Sequence, residues 1–310
     1  AGIDNTTTTA QPAWISSLQM AYKEPLQPVL RLSPPWGQSH YRDEADAGSN
    51  HTSYKTLGKS FAAVISSLLS VVPSDAKLYV QIENEVNLGY EWFCEEPGSP
   101  LHYTEVAAEV AAFFRDVAAA IKGLGDSRVL ISPPPMAPGG LVTYGCCGQE
   151  NCPGDAGGAL GVDFQNAMKA AVPNVFDAAD FLATHSYPAS GRGYGFNAPL
   201  PQAGPGLMYY ELELQVFGRD LPVIVTETGW SRHATGEPPA SATQQATWTV
   251  GAYDAYWLND SRIIGVTPFM LQGPTWGDQY GFGWVDMNGN VEPVYSQVQA
   301  LRCQRGFGPC

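Results

Sequence analysis

Short apolar runs alternate with segments of helical period along the whole chain. The runs are Pro28–Leu32, Leu78–Ile82, Val129–Ile131, Phe181–Ala183, Val223–Val225 and Ile263–Val266. They are rich in β-branched residues and continuous rather than alternating, which is the pattern of strands covered on both faces. Helical period fills the intervals at Ala13–Lys23, Tyr54–Val72, Tyr103–Lys122, Val162–Ala171, Leu207–Phe217, Ser241–Leu258 and Pro293–Leu301. In the third of these, Val106, Val110, Phe113, Phe114, Val117 and Ile121 mark one face, and Thr104 is placed to cap it.

Alternating β and α segments predict a parallel sheet, either doubly wound or closed into a barrel. A doubly wound nucleotide binder needs a Gly-rich turn after its first strand. No strand here is followed by one, and Gly191-Arg192-Gly193-Tyr194-Gly195 lies in a Pro/Gly-rich loop with no helix opening on it. The loops after the strands carry Trp, Tyr, His, Glu and Asn, which is where a barrel builds its site. The expected fold is therefore α/β, a (β/α)₈ TIM barrel in a single domain spanning 1–310. Ala1-Gly2-Ile3-Asp4 offers a seventh strand to add to the six clear ones. Against an eight-stranded template the first β/α unit is then lacking. It would be supplied by an upstream segment or a partner chain completing the barrel, or the barrel is incomplete.

Composition narrows the partners. The 310 residues hold 16 Lys plus Arg against 30 Asp plus Glu, a formal net charge of −14. Phosphate recognition needs clustered basic side chains, so a nucleic-acid partner and an anionic membrane surface are both disfavoured. No apolar run reaches the ~18–20 residues of a membrane span. Six cysteines, Cys94, Cys146, Cys147, Cys152, Cys303 and Cys310, suit a disulfide framework. Cys303 and Cys310 are expected to close a short C-terminal loop, and Cys94 to pair into the 146–152 cluster. Cys146, Cys147 and Cys152 do not follow zinc spacing and no His lies nearby, so no metal is expected. Asn5, Asn50 and Asn259 begin Asn-x-Ser/Thr sequons. Together these features point to a secreted glycoprotein of the cell surface or cell wall. The sequence opens at Ala1 without a charged n-region or an apolar h-region, and a processed or trimmed product is expected.

Two strand ends carry the candidate chemistry. Leu78-Tyr79-Val80-Gln81-Ile82 runs into Glu83-Asn84-Glu85, and Val223-Ile224-Val225 runs into Thr226-Glu227-Thr228-Gly229-Trp230. Carboxylates at the ends of buried strands are costly unless they are paired or used. Two strand runs lie between them, so Glu85 and Glu227 are expected on opposite sides of one mouth. Facing carboxylates are the requirement of glycoside hydrolysis, where one protonates the leaving oxygen and the other attacks or stabilises the anomeric carbon. Their surroundings must separate the two pKa values.

Asn84-Glu85 at one strand end and Glu227 three strands later resemble the clan A glycoside hydrolases. The resemblance implies a (β/α)₈ barrel with Glu85 as acid/base, Glu227 as nucleophile, Asn84 on the sugar 2-hydroxyl and a retaining mechanism. Within the clan, Val223-Ile224-Val225-Thr226-Glu227-Thr228-Gly229-Trp230 and Asn84-Glu85-Val86 are most similar to family 17, the β-1,3-glucanases. Ser231 stands where that family usually has Pro, and Glu83 where it usually has Gly.

Further candidates surround these acids. Strand parity aims Glu83 the same way as Glu85 but deeper, where Arg31 is expected to pair with it as structural support. The resemblance also implies that His185 or Tyr187, at the end of the preceding strand, supports Glu227. Trp36, Trp230, Trp276 and Tyr280 follow strand ends, where exposed aromatics stack on sugar rings. Trp92, Trp248 and Trp257 are expected to pack. The expected function is a secreted retaining β-glycosidase, an endo-β-glucanase with β-1,3 linkage favoured, acting on a β-linked glycan without a cofactor. The alternative is a glycosidase-like barrel serving as a carbohydrate-binding or structural module of an extracellular assembly, its open sheet edge inviting a partner. A serine hydrolase is disfavoured, because no Gly-x-Ser-x-Gly elbow occurs.

Overall fold

The computed structural model describes residues 2–24, 26–34, 40–92, 103–138, 161–190, 193–194, 196–201, 206–233, 239–273 and 281–307. Trp36, Cys94, Cys146, Cys147, Cys152, Trp276, Tyr280 and Cys310 lie outside the described residues. The chain divides into two compact units, Ala1–Ala183 with Val216–Gly218, and Thr184–Gln215 with Arg219–Cys310.

The first unit carries α1 (Pro12–Lys23), β1 (Val29–Leu32), α2 (Lys55–Leu68), β2 (Leu78–Ile82), α3 (Gly89–Trp92), α4 (Tyr103–Lys122), β3 (Val129–Ser132) and α5 (Gly161–Ala171), and β4 (Leu182–Thr184) reaches its boundary. β1, β2 and β3 form a parallel sheet in that order, with Val29 opposite Tyr79 and Leu78 opposite Val129. The expected N-terminal strand is reduced to one parallel bridge, Gly2 to Ser33, with the Ile3 N–H donating to the Ser33 carbonyl at 3.1 Å. Asp4 ends it: Asp4 Oδ1 accepts from the Thr6 N–H and from both threonine hydroxyls of Thr6 and Thr7, turning the chain out of the sheet.

Beyond β3 side chains share the pairing with the backbone, where the Asp180 N–H donates to the Ile131 carbonyl at 2.8 Å. Ser132 Oγ accepts from the Ala183 N–H at 2.8 Å, and Asp180 Oδ2 accepts from the Ile131 N–H at 2.8 Å. α2 and α4 cover the sheet in close contact, because a Cβ at Gly58 would stand 2.9 Å from the Asp116 carbonyl oxygen. Tyr41, Tyr54, Phe61, Trp92 and Phe113 fill the core between these elements as one buried aromatic cluster.

The second unit carries the two-residue antiparallel strands β5 (Ala189–Ser190) and β6 (Gly193–Tyr194), then α6 (Tyr209–Phe217), β7 (Val223–Val225), α7 (Ala242–Ala255), β8 (Ile263–Val266) and α8 (Pro293–Gln304). β7 pairs parallel with β8, and on its other side the Thr226 N–H donates to the Thr184 carbonyl at 2.9 Å. α7 opens on a full capping box, Ser241 with Gln244. Gly193-Tyr194, expected as loop, pairs instead with Ala189-Ser190.

One clasp recurs at the start of a strand in each unit. Asp126-Ser127-Arg128 precedes β3 and Asp260-Ser261-Arg262 precedes β8. In both, the aspartate accepts from the arginine's backbone N–H and from its guanidinium at Nε and Nη2. The forked charge-assisted pair bends the chain into the strand.

The sequence predicts a (β/α)₈ barrel lacking its first β/α unit, and the described residues do not close into a barrel. Their strands make two three-stranded parallel sheets, β1-β2-β3 and β4-β7-β8, plus the β5/β6 pair. In the first unit, β3 meets the segment that enters β4 through one backbone bond, Asp180 N–H to the Ile131 carbonyl, and through the Ser132 and Asp180 side chains.

Candidate active site

Glu227 lies two residues beyond β7, whose three residues are all buried, and the chain is partly exposed only at Thr226 and Glu227 before it is buried again from Thr228 to Ser231. The Glu227 side chain keeps 21% exposure. Tyr187 Oη donates to Glu227 Oε2 at 3.1 Å, and Nε2 of the fully buried His185 lies 3.8 Å from Oε1. The expectation named His185 or Tyr187; the structure brings both to the same carboxylate.

A polar net holds this arrangement. Thr184 Oγ1 donates to Glu213 Oε2 at 2.5 Å and meets Ser186 Oγ at 3.1 Å, while Thr228 Oγ1 donates to the Ser186 carbonyl at 2.9 Å. Glu213 is fully buried on α6. It was not singled out from sequence, since Glu211-Leu212-Glu213 on a helix reads as a solvated face. Gly229, at φ 155°, lets the next turn close: a Cβ there would stand 2.9 Å from the Phe269 carbonyl oxygen. Tyr187, Phe196, Phe269 and Phe282 pack around it with ring centroids 5.2 to 5.5 Å apart along the chain Tyr187–Phe196–Phe282–Phe269. These three phenylalanines have no pattern in the sequence that distinguishes them from core residues.

The other strand end is conformationally unusual. Glu83 has φ 67° and Glu85 φ 25°, two non-glycine residues in the left-handed region within three positions. Such conformations persist only where surrounding structure enforces them, and they gather at functional sites. The Leu88 N–H donates to the Glu85 carbonyl at 2.7 Å and starts the turn into α3. Asn84, itself buried, is fixed at both ends of its amide: Gln81 Nε2 donates to its Oδ1 at 3.3 Å, and its Nδ2 donates to Glu91 Oε1 at 3.1 Å.

Glu83 is fully buried, and its carboxylate accepts from the Asn84 N–H. Burial pushes its pKa well above the usual carboxylate range, and the negative charge of Glu91 adds to this, while Arg31 pulls the other way. The expected Arg31–Glu83 support therefore becomes a three-residue cluster, with Arg31 Nη2 standing 3.6 Å from Glu91 Oε2.

Trp230 is a correction. It was expected to stack on sugar, yet it is 1% exposed, donates its indole N–H to the Ala198 carbonyl at 2.9 Å, and packs with Leu207, Val225, Ala252 and Trp257. No ring face is left for a ligand. Trp92 and Trp257 are buried and Trp248 packs against that same cluster.

Cys303 sits on α8. Among the sequons, Asn50 is exposed in a turn at φ 48°. Asn5 spends its amide on the Glu44 carbonyl at 2.9 Å, and Asn259 spends its amide on the carbonyl of Asp254 at 2.7 Å.

No protein-family model matches the sequence, and no curated protein matches it. Solved structures do match in fold. Over 92% of this chain and 81% of the other, it is similar to fungal β-1,4-galactanases at 14% identity and a TM-score of 0.55. An endo-β-1,4-glucanase from Xanthomonas axonopodis pv. citri matches 94% of this chain and 77% of its own, at 16% identity and 0.51. A β-glucuronidase from Bacteroides uniformis matches 94% of this chain at 14% identity and 0.54, and the chain spans 29% of its length. These neighbours are TIM-barrel glycoside hydrolases, and the likeness is one of fold. Family 17 is not among what they show.

Proposed function

We propose that the chain is a retaining β-glycoside hydrolase acting on a polysaccharide, with Glu227 as nucleophile and Glu85 as acid/base. The observation that carries this reading is the Tyr187 hydroxyl held 3.1 Å from Glu227 Oε2. A strand-end carboxylate with one oxygen fixed by a tyrosine presents the other to an anomeric carbon. In the first step Glu227 attacks that carbon while Glu85 gives its proton to the departing glycosidic oxygen. In the second, Glu85 takes a proton from water as that water attacks the anomeric carbon on the face the leaving group vacated, breaking the bond to Glu227 and releasing the sugar with its configuration retained. No cofactor is required for either step.

A β-glucan is the proposed substrate, with β-1,3 linkage favoured by the resemblance of the Glu227 strand end. Secretion is proposed as well, supported by the even cysteine count and the exposed sequon at Asn50. The test is a panel of β-1,3-, β-1,4- and β-1,6-linked glycans offered to the wild type, Glu85→Gln and Glu227→Ala. Hydrolysis of at least one glycan, lowered by orders of magnitude in both variants, supports the reading. Hydrolysis that survives both substitutions removes it.

A further inference from the structure

Asn84 is the residue whose amide would meet the sugar, and its orientation is set by hydrogen-bond chemistry rather than by packing alone. A carboxylate only accepts, so Glu91 forces the NH₂ end of Asn84 toward itself. Gln81 fixes the opposite end. Its Nε2 donates to the Glu83 carbonyl at 3.0 Å, so it is the NH₂ group of Gln81 that reaches Asn84 Oδ1. One N–H of Asn84 donates to Glu91, and among the described residues no acceptor takes the second, which can donate to a ligand.

Glu91 is in turn placed from three directions. Arg31 Nη2 on β1 stands 3.6 Å from its other oxygen. Its own N–H donates to the Leu88 carbonyl at 3.0 Å, in the turn that starts at Glu85. The next residue, Trp92, is buried against Tyr54 and Phe113 and anchors α3 in the core.

We propose that Glu91 is a positioning residue: it fixes the flip and direction of the Asn84 amide so that the amide's second N–H donates to the 2-hydroxyl of the glycoside. The proposal rests on the hydrolase reading above and adds a residue that neither strand-end motif contains. It makes the Arg31–Glu91–Asn84 line a unit whose output is recognition of one hydroxyl.

The experiment has two arms. In the first, the side-chain NH₂ resonances of Asn84 are followed by ¹H–¹⁵N NMR on the full chain, assigned with Asn84→Ala. Glu91→Ala should collapse the shifted, slowly exchanging proton toward a free amide. Glu91→Gln should keep it, because an amide oxygen still accepts.

In the second arm, kcat/KM is measured on an aryl β-glycoside and on its 2-deoxy counterpart. Glu91→Ala should lose on the order of 10–100-fold on the 2-hydroxy substrate, as expected for a displaced contact. The loss should match that of Asn84→Ala, should not deepen in the double variant, and should vanish on the 2-deoxy substrate, with Glu91→Gln restoring activity. Equal losses on both substrates, or an unchanged Asn84 resonance in Glu91→Ala, would overturn the proposal. A wild type inactive on every glycoside would instead overturn the hydrolase reading, while the NMR arm would still decide the Glu91–Asn84 link.

Discussion

Tyr187 donates its hydroxyl to Oε2 of Glu227 across 3.1 Å, while His185 faces Oε1 at 3.8 Å. Both supporting residues come from the segment that leaves β4, and that segment is stitched to the Glu227 loop through Thr184, Ser186 and Thr228. A charge-assisted hydrogen bond contributes about 1.5–3 kcal/mol, so Tyr187→Phe should lower kcat roughly 10–100-fold. The ring and its contacts with Phe196 and Phe282 are kept, so the melting temperature should fall by no more than several degrees while kcat falls by the larger factor. Steady-state kinetics beside calorimetry separates the two effects.

The polar net behind that segment makes its own prediction. Glu213 is fully buried and accepts from Thr184 Oγ1. Glu213→Ala leaves the Thr184 and Ser186 hydroxyls short of an acceptor, a loss of about 1–3 kcal/mol. Denaturant unfolding should show that loss, and activity should fall with it as the 184–187 segment loosens.

Glu83 predicts a pH dependence of stability. Burial raises its folded-state pKa well above its unfolded value, so the folded chain binds a proton that the unfolded chain releases. The cost of keeping this site buried is therefore absent below the unfolded pKa. It grows as pH rises from there toward the raised folded pKa, and stability falls over that window. Glu83→Gln, neutral throughout, should remove this decline. Melting temperature of wild type and variant across pH 4 to 8, roughly the span from the unfolded carboxyl pKa upward, reads it directly; parallel curves would contradict the assignment.

Asp46 predicts the opposite sign. Its carboxylate accepts from Ser53 Oγ and from the N–H groups of Lys55 and Thr56 at the start of α2, which brings its pKa down to about 2. That contribution is fully present above the unfolded pKa and is lost as pH falls through about 2. Asp46→Asn should flatten the acid limb of the stability curve, measured by urea unfolding at decreasing pH.

How far the sequence carried can be judged from particular residues. Leu78–Ile82, Val223–Val225 and Ile263–Val266 fall on strands with the bounds read from the sequence, because a continuous apolar run between breakers has few other uses. Glu85 and Glu227 stood out for the same reason, as acids closing buried runs. Trp230 did not separate from a sugar-stacking tryptophan, since exposure is a property of the packed chain and the letter is the same. Glu91 and Glu213 were invisible because a helical acid is ordinarily solvated, and only tertiary structure turns it toward Asn84 or Thr184. The left-handed backbone at Glu83 and Glu85 leaves no trace in composition. The bonds that the Ser132 and Asp180 side chains make beside β3 could not be read either, because periodicity assigns those places to a backbone ladder.

The central claim is that Glu227 becomes covalently bonded to the sugar during turnover. Incubating the chain with a 2-deoxy-2-fluoro β-glycosyl fluoride, digesting it and sequencing the labelled peptide by mass spectrometry tests this directly. The account predicts a single glycosyl adduct on Glu227, absent in Glu227→Ala. An enzyme that hydrolyses β-glycans, carries no adduct at Glu227 and releases the inverted anomer would contradict it.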